Sequence, residues 1–172
     1  MYLSKLVFIV VLVLSGGNVF AGSADREDIE REASDFFDAY LAVYNKRFGH
    51  PERSAQFRQE LSDLVQMPLL ISPPMSAPQT APSKEAFAKN FEGFVKMLEG
   101  KSVTRLEWQE TQFHVLTDNK VLANNVGFGY TDTGEIAYET VSLYLIYRHD
   151  DSWKIAMFSP YDVDSYLQLA RP

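Results

Sequence analysis

The chain has 172 residues, with 16 Lys and Arg, 23 Asp and Glu and no cysteine, so its formal net charge is −7 at pH 7. This acidic balance disfavours nucleic acid and anionic lipid as partners, because their phosphates are repelled by a surface of the same sign. Without cysteine the chain has no disulfides, no thiolate chemistry and no site for lipoprotein acylation. Its length suffices for one compact domain with a buried core.

The first 21 residues have the order of a secretory signal peptide. Lys5 precedes a nine-residue apolar run over residues 6–14, and the small side chains of Val19 and Ala21 favour cleavage after Ala21. The run is shorter than the roughly 20 apolar residues that span a bilayer, although an uncleaved anchor is the alternative. We therefore expect export to the periplasm or the extracellular space and a single mature domain over residues 22–172. Loss of Lys5 leaves 15 cations and 23 acids, a net charge of −8.

Three amphipathic helices are predicted in the first half of the mature chain. The first covers about residues 25–48, and the second begins with Ser54 as its N-cap. Ser83 caps the third helix, which ends at Gly100. Residues 68–82 contain five of the eight prolines and are predicted to form a loop with a short apolar segment near its start, and a lid is one hypothesis for its role.

The second half of the chain is predicted to be a β-meander. Residues 103–160 are rich in β-branched and aromatic residues, and turn signals divide them into four segments at 117–120, 131–135 and 148–152. The alternation of apolar residues changes phase between Gln109 and Gln112, which predicts a bulge there. The fold class is therefore α+β, with three helices on one face of a cone-shaped antiparallel sheet of this meander plus a short strand.

This order of elements resembles that of SnoaL-like and nuclear-transport-factor-like proteins, which have the cystatin-like cone fold. Tyr40 and Asn45 stand in a Tyr-x-x-x-x-Asn context that is similar to the first helix of ketosteroid isomerases, where the tyrosine is catalytic. Residues 82–87 are similar to the start of that family's third helix, and residues 149–155 resemble its Asp-Asp-Gly hairpin. The resemblance implies a pocket inside the cone and a homodimer.

The resemblance also implies that one catalytic group is missing. Ketosteroid isomerases have Asp-Pro after the second helix, where this chain has Ser72 and Pro73, and their second acid corresponds to Tyr144 here. A serine hydroxyl cannot replace the carboxylate that moves the proton, although Tyr40 and Tyr144 remain as hydrogen-bond donors. We therefore expect no ketosteroid isomerase activity.

A row of hydroxyl side chains follows from the same alignment. Tyr144 shares one face of the third β segment with Tyr138, Thr140 and Ser142, because side chains alternate with period two. This face either lines a pocket or forms a partly solvated or dimerising surface, and Val141, Leu143 and Leu145 face the other way. The candidate ligand-binding residues are Tyr40, Tyr44, Ser72, Trp108, Tyr130 and Tyr144.

Catalytic and cofactor motifs are scarce. His114 is the only histidine within a predicted strand, and it joins Tyr40 and Tyr144 as a candidate acid–base residue, with a surface imidazole as the simpler interpretation. No metal is expected, because the sequence has no His, Asp or Glu set with ligand spacing. No other cofactor is expected either, since no phosphate-binding glycine loop or nucleophile elbow is present.

Three functions fit this sequence. The first is an exported domain that binds a small apolar molecule or a protein partner in its cone, without chemistry. The second is an isomerase, cyclase, dehydratase or hydrolase that acts on a steroid-like or polyketide-like substrate, which Ser72 disfavours. The third is an association domain that oligomerises through its sheet. Fold analogy alone does not choose among them.

Overall fold

The computed structural model of the protein describes residues 23–74 and 76–165, and the predicted signal peptide lies outside them. The helices are α1 (Ser23–Asn45), α2 (Ser54–Asp63) and α3 (Lys84–Glu99). The strands are β1 (Val65–Ile71), β2 (Gln79–Thr80), β3 (Arg105–Thr117), β4 (Lys120–Tyr130), β5 (Ile136–His149) and β6 (Ser152–Tyr161). None of the helices within the described residues is long and apolar enough to cross a membrane.

The strands form one curved sheet in the order β2-β1-β6-β5-β4-β3. Strands β3 to β6 are the predicted antiparallel meander. The short strand β1 pairs in parallel with β6, and β2 adds two residues at its other side, so the sheet is mixed rather than wholly antiparallel. The α+β cone-like class predicted from the sequence is confirmed.

The helices bury aromatic side chains at the spacing that the sequence shows. On α1, Phe37, Tyr40 and Tyr44 are no more than 2% exposed. Burial of each such side chain stabilises the fold by about 1.5–3 kcal/mol relative to exposure. Helix α3 begins where predicted, because the Ser83 hydroxyl accepts a hydrogen bond from the Ala86 amide at 3.1 Å.

The N-cap predicted for α2 is wrong. Residues Pro51–Arg53 form a 3₁₀ turn directly before the helix, and Arg53 takes the cap position. The Ser54 hydroxyl instead donates a hydrogen bond to the Pro51 carbonyl at 2.7 Å. The Ser54 side chain therefore bonds to the preceding turn and does not cap α2.

The proline-rich loop begins later in the chain than predicted. Strand β1 continues through Pro68 to Ile71, although proline disfavours a paired strand. The pairing of β1 with β6 is irregular between Val65 and Leu70, so the proline lies in a stretch without regular ladder partners. The loop begins at Ser72, whose amide donates to the Phe158 carbonyl of β6 at 3.0 Å.

A bulge and an asparagine shape the edge strand β3. The register between β3 and β4 shifts between Trp108 and Glu110, within reach of the predicted change of phase. Asn45, at the end of α1, bonds to both backbone polar groups of Leu106: its amide donates to the carbonyl at 2.9 Å and its oxygen accepts from the amide at 2.8 Å. The helix therefore fixes the part of β3 that precedes the bulge.

Candidate functional site

A cavity of about 380 Å³ lies between the concave face of the sheet and helices α1 and α3. Helix α3 contributes Phe91, Phe94 and Met97 to its lining, and β3 contributes Leu106 and Trp108. This volume is near the lower end of the range of about 300–1,000 Å³ for small-molecule sites. The apolar part of the lining is therefore suited to a small ligand with a ring system.

The polar part of the lining includes a series of six hydroxyls. Every second residue of β5 from Tyr138 to Tyr144 faces the cavity, and Tyr40 and Tyr44 of α1 complete the series. The hydroxyls of Thr140 and Ser142 are 3.4 Å apart, and those of Tyr40 and Tyr44 are 3.0 Å apart. The rings of Tyr40 and Tyr144 are also in contact, with their centres 6.0 Å apart.

Two pairs of these hydroxyls are in direct hydrogen-bonding contact. Each pair, Tyr40 with Tyr44 and Thr140 with Ser142, shares one hydrogen bond, so one of the two O–H groups has no acceptor within its pair. An acceptor atom placed in the cavity can accept a hydrogen bond from such an O–H group.

Burial keeps the phenols of this series neutral. Desolvation raises the pKa of Tyr40, Tyr44 and Tyr144 well above the ordinary value for tyrosine, and their proximity to one another raises the pKa of Tyr40 and Tyr144 further. Burial also raises the pKa of Tyr138. At neutral pH the phenols are therefore hydrogen-bonding groups and not phenolate bases.

Comparison with models of known protein families identifies the family of this chain. The profile of the family described as NTF2-like protein (DUF6841) matches residues 30–163, which is most of the chain and includes every strand. The chain belongs to this NTF2-like family. A search of curated proteins finds no significant match to this NTF2-like protein.

Solved structures with the same fold are distant in sequence from this NTF2-like protein. An NTF2-like protein of unknown function from Shewanella oneidensis is 10% identical with a TM-score of 0.57, and the match covers 77% of this chain and 98% of that one. A proposed dehydratase of the NTF2-like family from Streptomyces avermitilis is 11% identical with a TM-score of 0.53, covering 80% and 98%. A protein from Catenulispora acidiphila in complex with S-DNPA is 13% identical with a TM-score of 0.56, covering 78% and 93%. These likenesses establish the fold alone.

Four of the six candidate ligand-binding residues come together in the NTF2-like cone. Tyr40, Tyr44, Trp108 and Tyr144 all line the cavity. The hydroxyl row of β5 faces the cavity as well, which decides between the two orientations left open by the sequence. The opposite row of β5 points to the outer face of the sheet.

The other candidates lie elsewhere. Tyr130 pairs with Arg105 at the far end of β4, and the Arg105 guanidinium lies 4.5 Å from the centre of its ring. Ser72 is half-buried beside β6, outside the cavity lining. His114 neighbours Phe113 on β3 and points to the opposite side of the sheet, away from the cavity.

Sequence reasoning missed the contribution of α3 and β6. Phe91 and Phe94 recur at the helical spacing that ordinary core residues also have, and Phe158 and Pro160 belong to the last strand. Asn90, which is exposed and also lines the cavity, carried no signal that separates it from a surface residue. Within the part of the chain that the structure describes, no group of His, Asp or Glu is arranged to hold a metal ion.

Proposed function

We propose that this NTF2-like protein binds a small, uncharged, largely apolar molecule that carries a hydrogen-bond acceptor, and that it does so without transforming the ligand. The observation that carries this proposal is the lining of the cavity. Its described residues include aromatic rings, hydroxyls and one amide, but no Asp, Glu, Lys, Arg or His. A charged ligand would lose its hydration there without gaining a counter-ion.

The hydroxyl series supports the acceptor in this ligand. The hydroxyls of Tyr40 and Tyr44 share one hydrogen bond, so one of their two protons has no acceptor within the pair, and both side chains are buried. A buried donor without a partner is unfavourable by about 1–3 kcal/mol, so a carbonyl or ether oxygen of a ligand would be stabilising there. The structure of the Catenulispora acidiphila protein of this fold in complex with S-DNPA supports a ligand-binding role.

An enzymatic function has less support. General acid–base catalysis needs a group whose pKa lies near the working pH. The phenols of the described lining have raised pKa values, and His114 lies on the other side of the sheet. The likeness to a proposed dehydratase is at the level of fold and brings no base into this cavity.

Export remains part of the proposed function. The order of residues 1–21 supports it, and the measurement is the intact mass of protein produced from the full-length gene in a bacterial host. We expect a mature chain that begins at Gly22. A mass that includes Met1 would contradict export by signal cleavage.

Binding of two matched probes tests the central proposal. 2-Acetylnaphthalene and 2-ethylnaphthalene share a ring system, but only the ketone accepts a hydrogen bond. Because a neutral hydrogen bond contributes about 0.5–1.5 kcal/mol, calorimetry should show the ketone binding roughly 2- to 10-fold more tightly. The proposal is wrong if the protein binds neither probe or prefers the hydrocarbon.

Two variants of β5 test whether the probes occupy the cavity. Ser142 is 1% exposed and lines the cavity, whereas Glu139 is exposed on the outer face of the same strand. Ser142→Leu should fill the site and lower the affinity for both probes at least about 10-fold, as for the loss of roughly 1.4 kcal/mol. Glu139→Leu adds the same apolar side chain outside the cavity and should leave both affinities unchanged. Equal binding by Ser142→Leu would place the probes elsewhere.

A further inference from the structure

Trp108 forms one wall of the cavity and is fixed on its other sides. Its indole N–H donates a hydrogen bond to the Phe37 carbonyl of α1 at 3.2 Å. The indole also stacks on Tyr40, with ring centres 6.3 Å apart and planes inclined by 23°. Phe37 and Tyr40 are 1% and 2% exposed, so α1 leaves the indole no free space on that side.

Gly127 of β4 lies directly behind the same indole. Trp108 and Gly127 are partners in the register of β3 and β4. A Cβ atom added at Gly127 would lie 2.8 Å from Cζ3 and 3.0 Å from Cε3 of Trp108, and 3.4 Å from the methyl group of Thr140. Carbon atoms in contact are normally about 3.5–4.0 Å apart, so any side chain at residue 127 must displace the indole.

The displaced indole can move towards the cavity. Phe37 and Tyr40 of α1 obstruct movement towards the helix, and the clash itself comes from β4. The indole also lines the cavity, which is empty space beside the ring. A methyl group at residue 127 would therefore push Trp108 into the space that a ligand needs.

We infer that the contact between Gly127 and Trp108 sets the width of the cavity, so that Gly127 determines the size of the flat ring system that the protein accepts. This inference rests on the proposed function. The indole supplies a broad flat surface to a cavity that Phe91 and Phe94 of α3 also line, which suits planar conjugated or aromatic ligands. Gly127 permits that surface to lie back against β4, and thereby admits wider rings than any other residue at this position would allow.

A series of flat ketones of increasing ring number tests this inference. The probes are acetophenone, which has a single aromatic ring, 2-acetylnaphthalene, which has two fused rings, and 1-acetylpyrene, which has four. Their dissociation constants are measured by calorimetry. Gly127→Ala should change the affinity for acetophenone less than about 2-fold and weaken 1-acetylpyrene more than about 10-fold, with 2-acetylnaphthalene between them. The effect is a change of size preference, which a general loss of stability would not produce.

A second glycine and a second variant provide the controls. Gly93 lies on α3 with no atom within 4 Å of an added Cβ, so Gly93→Ala makes the same chemical change and should leave the size preference as it is. In the double variant Trp108→Phe/Gly127→Ala, the ring atoms that the new Cβ meets are removed, and binding of 1-acetylpyrene should recover. Trp108→Phe alone should favour the larger ketone, and it tests the inference if Gly127→Ala does not fold.

The outcomes separate this inference from the proposed function. The role of Gly127 is overturned if Gly127→Ala weakens the affinity for all three ketones equally, or if the double variant does not regain affinity for 1-acetylpyrene. In either case, binding of the ketones by the unaltered protein still supports the proposed function. If the unaltered protein binds none of the ketones, the proposed function is wrong and the inference fails with it.

Discussion

At the scale of single residues, the buried phenols determine what the cavity offers a ligand. Tyr40, Tyr44 and Tyr144 are each no more than 4% exposed, and desolvation holds their protons in place by raising their pKa values. A phenol in this state donates or accepts a hydrogen bond but does not act as a base near neutral pH. Binding of a neutral acceptor is therefore the chemistry that these residues support.

The same phenols predict a loss of stability in alkaline solution. Their pKa values are higher in the folded chain than in the unfolded chain, where tyrosine has a pKa of about 10. Above that pH the unfolded chain releases protons that the folded chain keeps, so the free energy of unfolding falls as pH rises. Each phenol contributes a slope of up to about 1.4 kcal/mol per pH unit.

Replacement of one phenol isolates this contribution. Between about pH 10 and 11.5, urea denaturation of Tyr144→Phe should show a shallower fall in the free energy of unfolding than the unaltered protein, by up to about 1.4 kcal/mol per pH unit. Tyr130 lies on the outer face under Arg105 and is the matched control. An identical slope in Tyr144→Phe and Tyr130→Phe would contradict the account of the buried phenols.

At the scale of elements, Asn45 connects α1 to the strand that carries Trp108. Strand β3 lies at the edge of the sheet, so the Leu106 amide and carbonyl that point away from β4 have no strand partner among the described residues. The Asn45 side chain supplies both missing bonds, at 2.8 and 2.9 Å. It therefore holds the cavity wall in place and covers part of an exposed edge.

Substitution of Asn45 should destabilise the fold measurably. Asn45→Ala removes two hydrogen bonds of about 0.5–1.5 kcal/mol each, so we expect a loss of roughly 1–3 kcal/mol in the free energy of unfolding. Asn45→Asp should be no more stable than Asn45→Ala. The aspartate keeps the acceptor for the Leu106 amide, but it places a second oxygen against the Leu106 carbonyl. Lys46→Ala, at the next and exposed position, is the control. The interpretation fails if Asn45→Asp is as stable as the unaltered protein in chemical denaturation.

The ends of the helices and strands also show which sequence signals suffice to predict them. The Ser83 cap was predictable because a serine before a helix with a free Ala86 amide is a local arrangement. Ser54 looked the same in the sequence, but the turn formed by Pro51–Arg53 takes its hydroxyl. Strand β1 passes through Pro68 because its pairing is irregular there, which depends on β6, a strand much later in the chain.

At the scale of the whole molecule, the fold was predictable and the cavity only in part. Periodicity and turn signals predicted the helices and the meander, and one alignment of hairpins placed the β5 hydroxyls on one face but left open whether that face lines a pocket. Sequence could not separate Phe91 and Phe94 from ordinary core residues, because lining and core positions have the same spacing on a helix. Tyr130 combines an apolar ring with a polar hydroxyl, as ligand contacts often do. It lies on the outer face, however, which only the register of β4 reveals. The homodimer expected from the resemblance stays a prediction.

A crystal structure of the protein with 2-acetylnaphthalene tests the central claim most directly. We predict the naphthalene ring between Trp108 and the α3 side chains Phe91 and Phe94, with the ketone oxygen about 2.5–3.0 Å from a hydroxyl of the series that runs from Tyr138 to Tyr44. A ketone bound on the outer face of the sheet, or one whose oxygen points away from every hydroxyl of the cavity, would contradict the account.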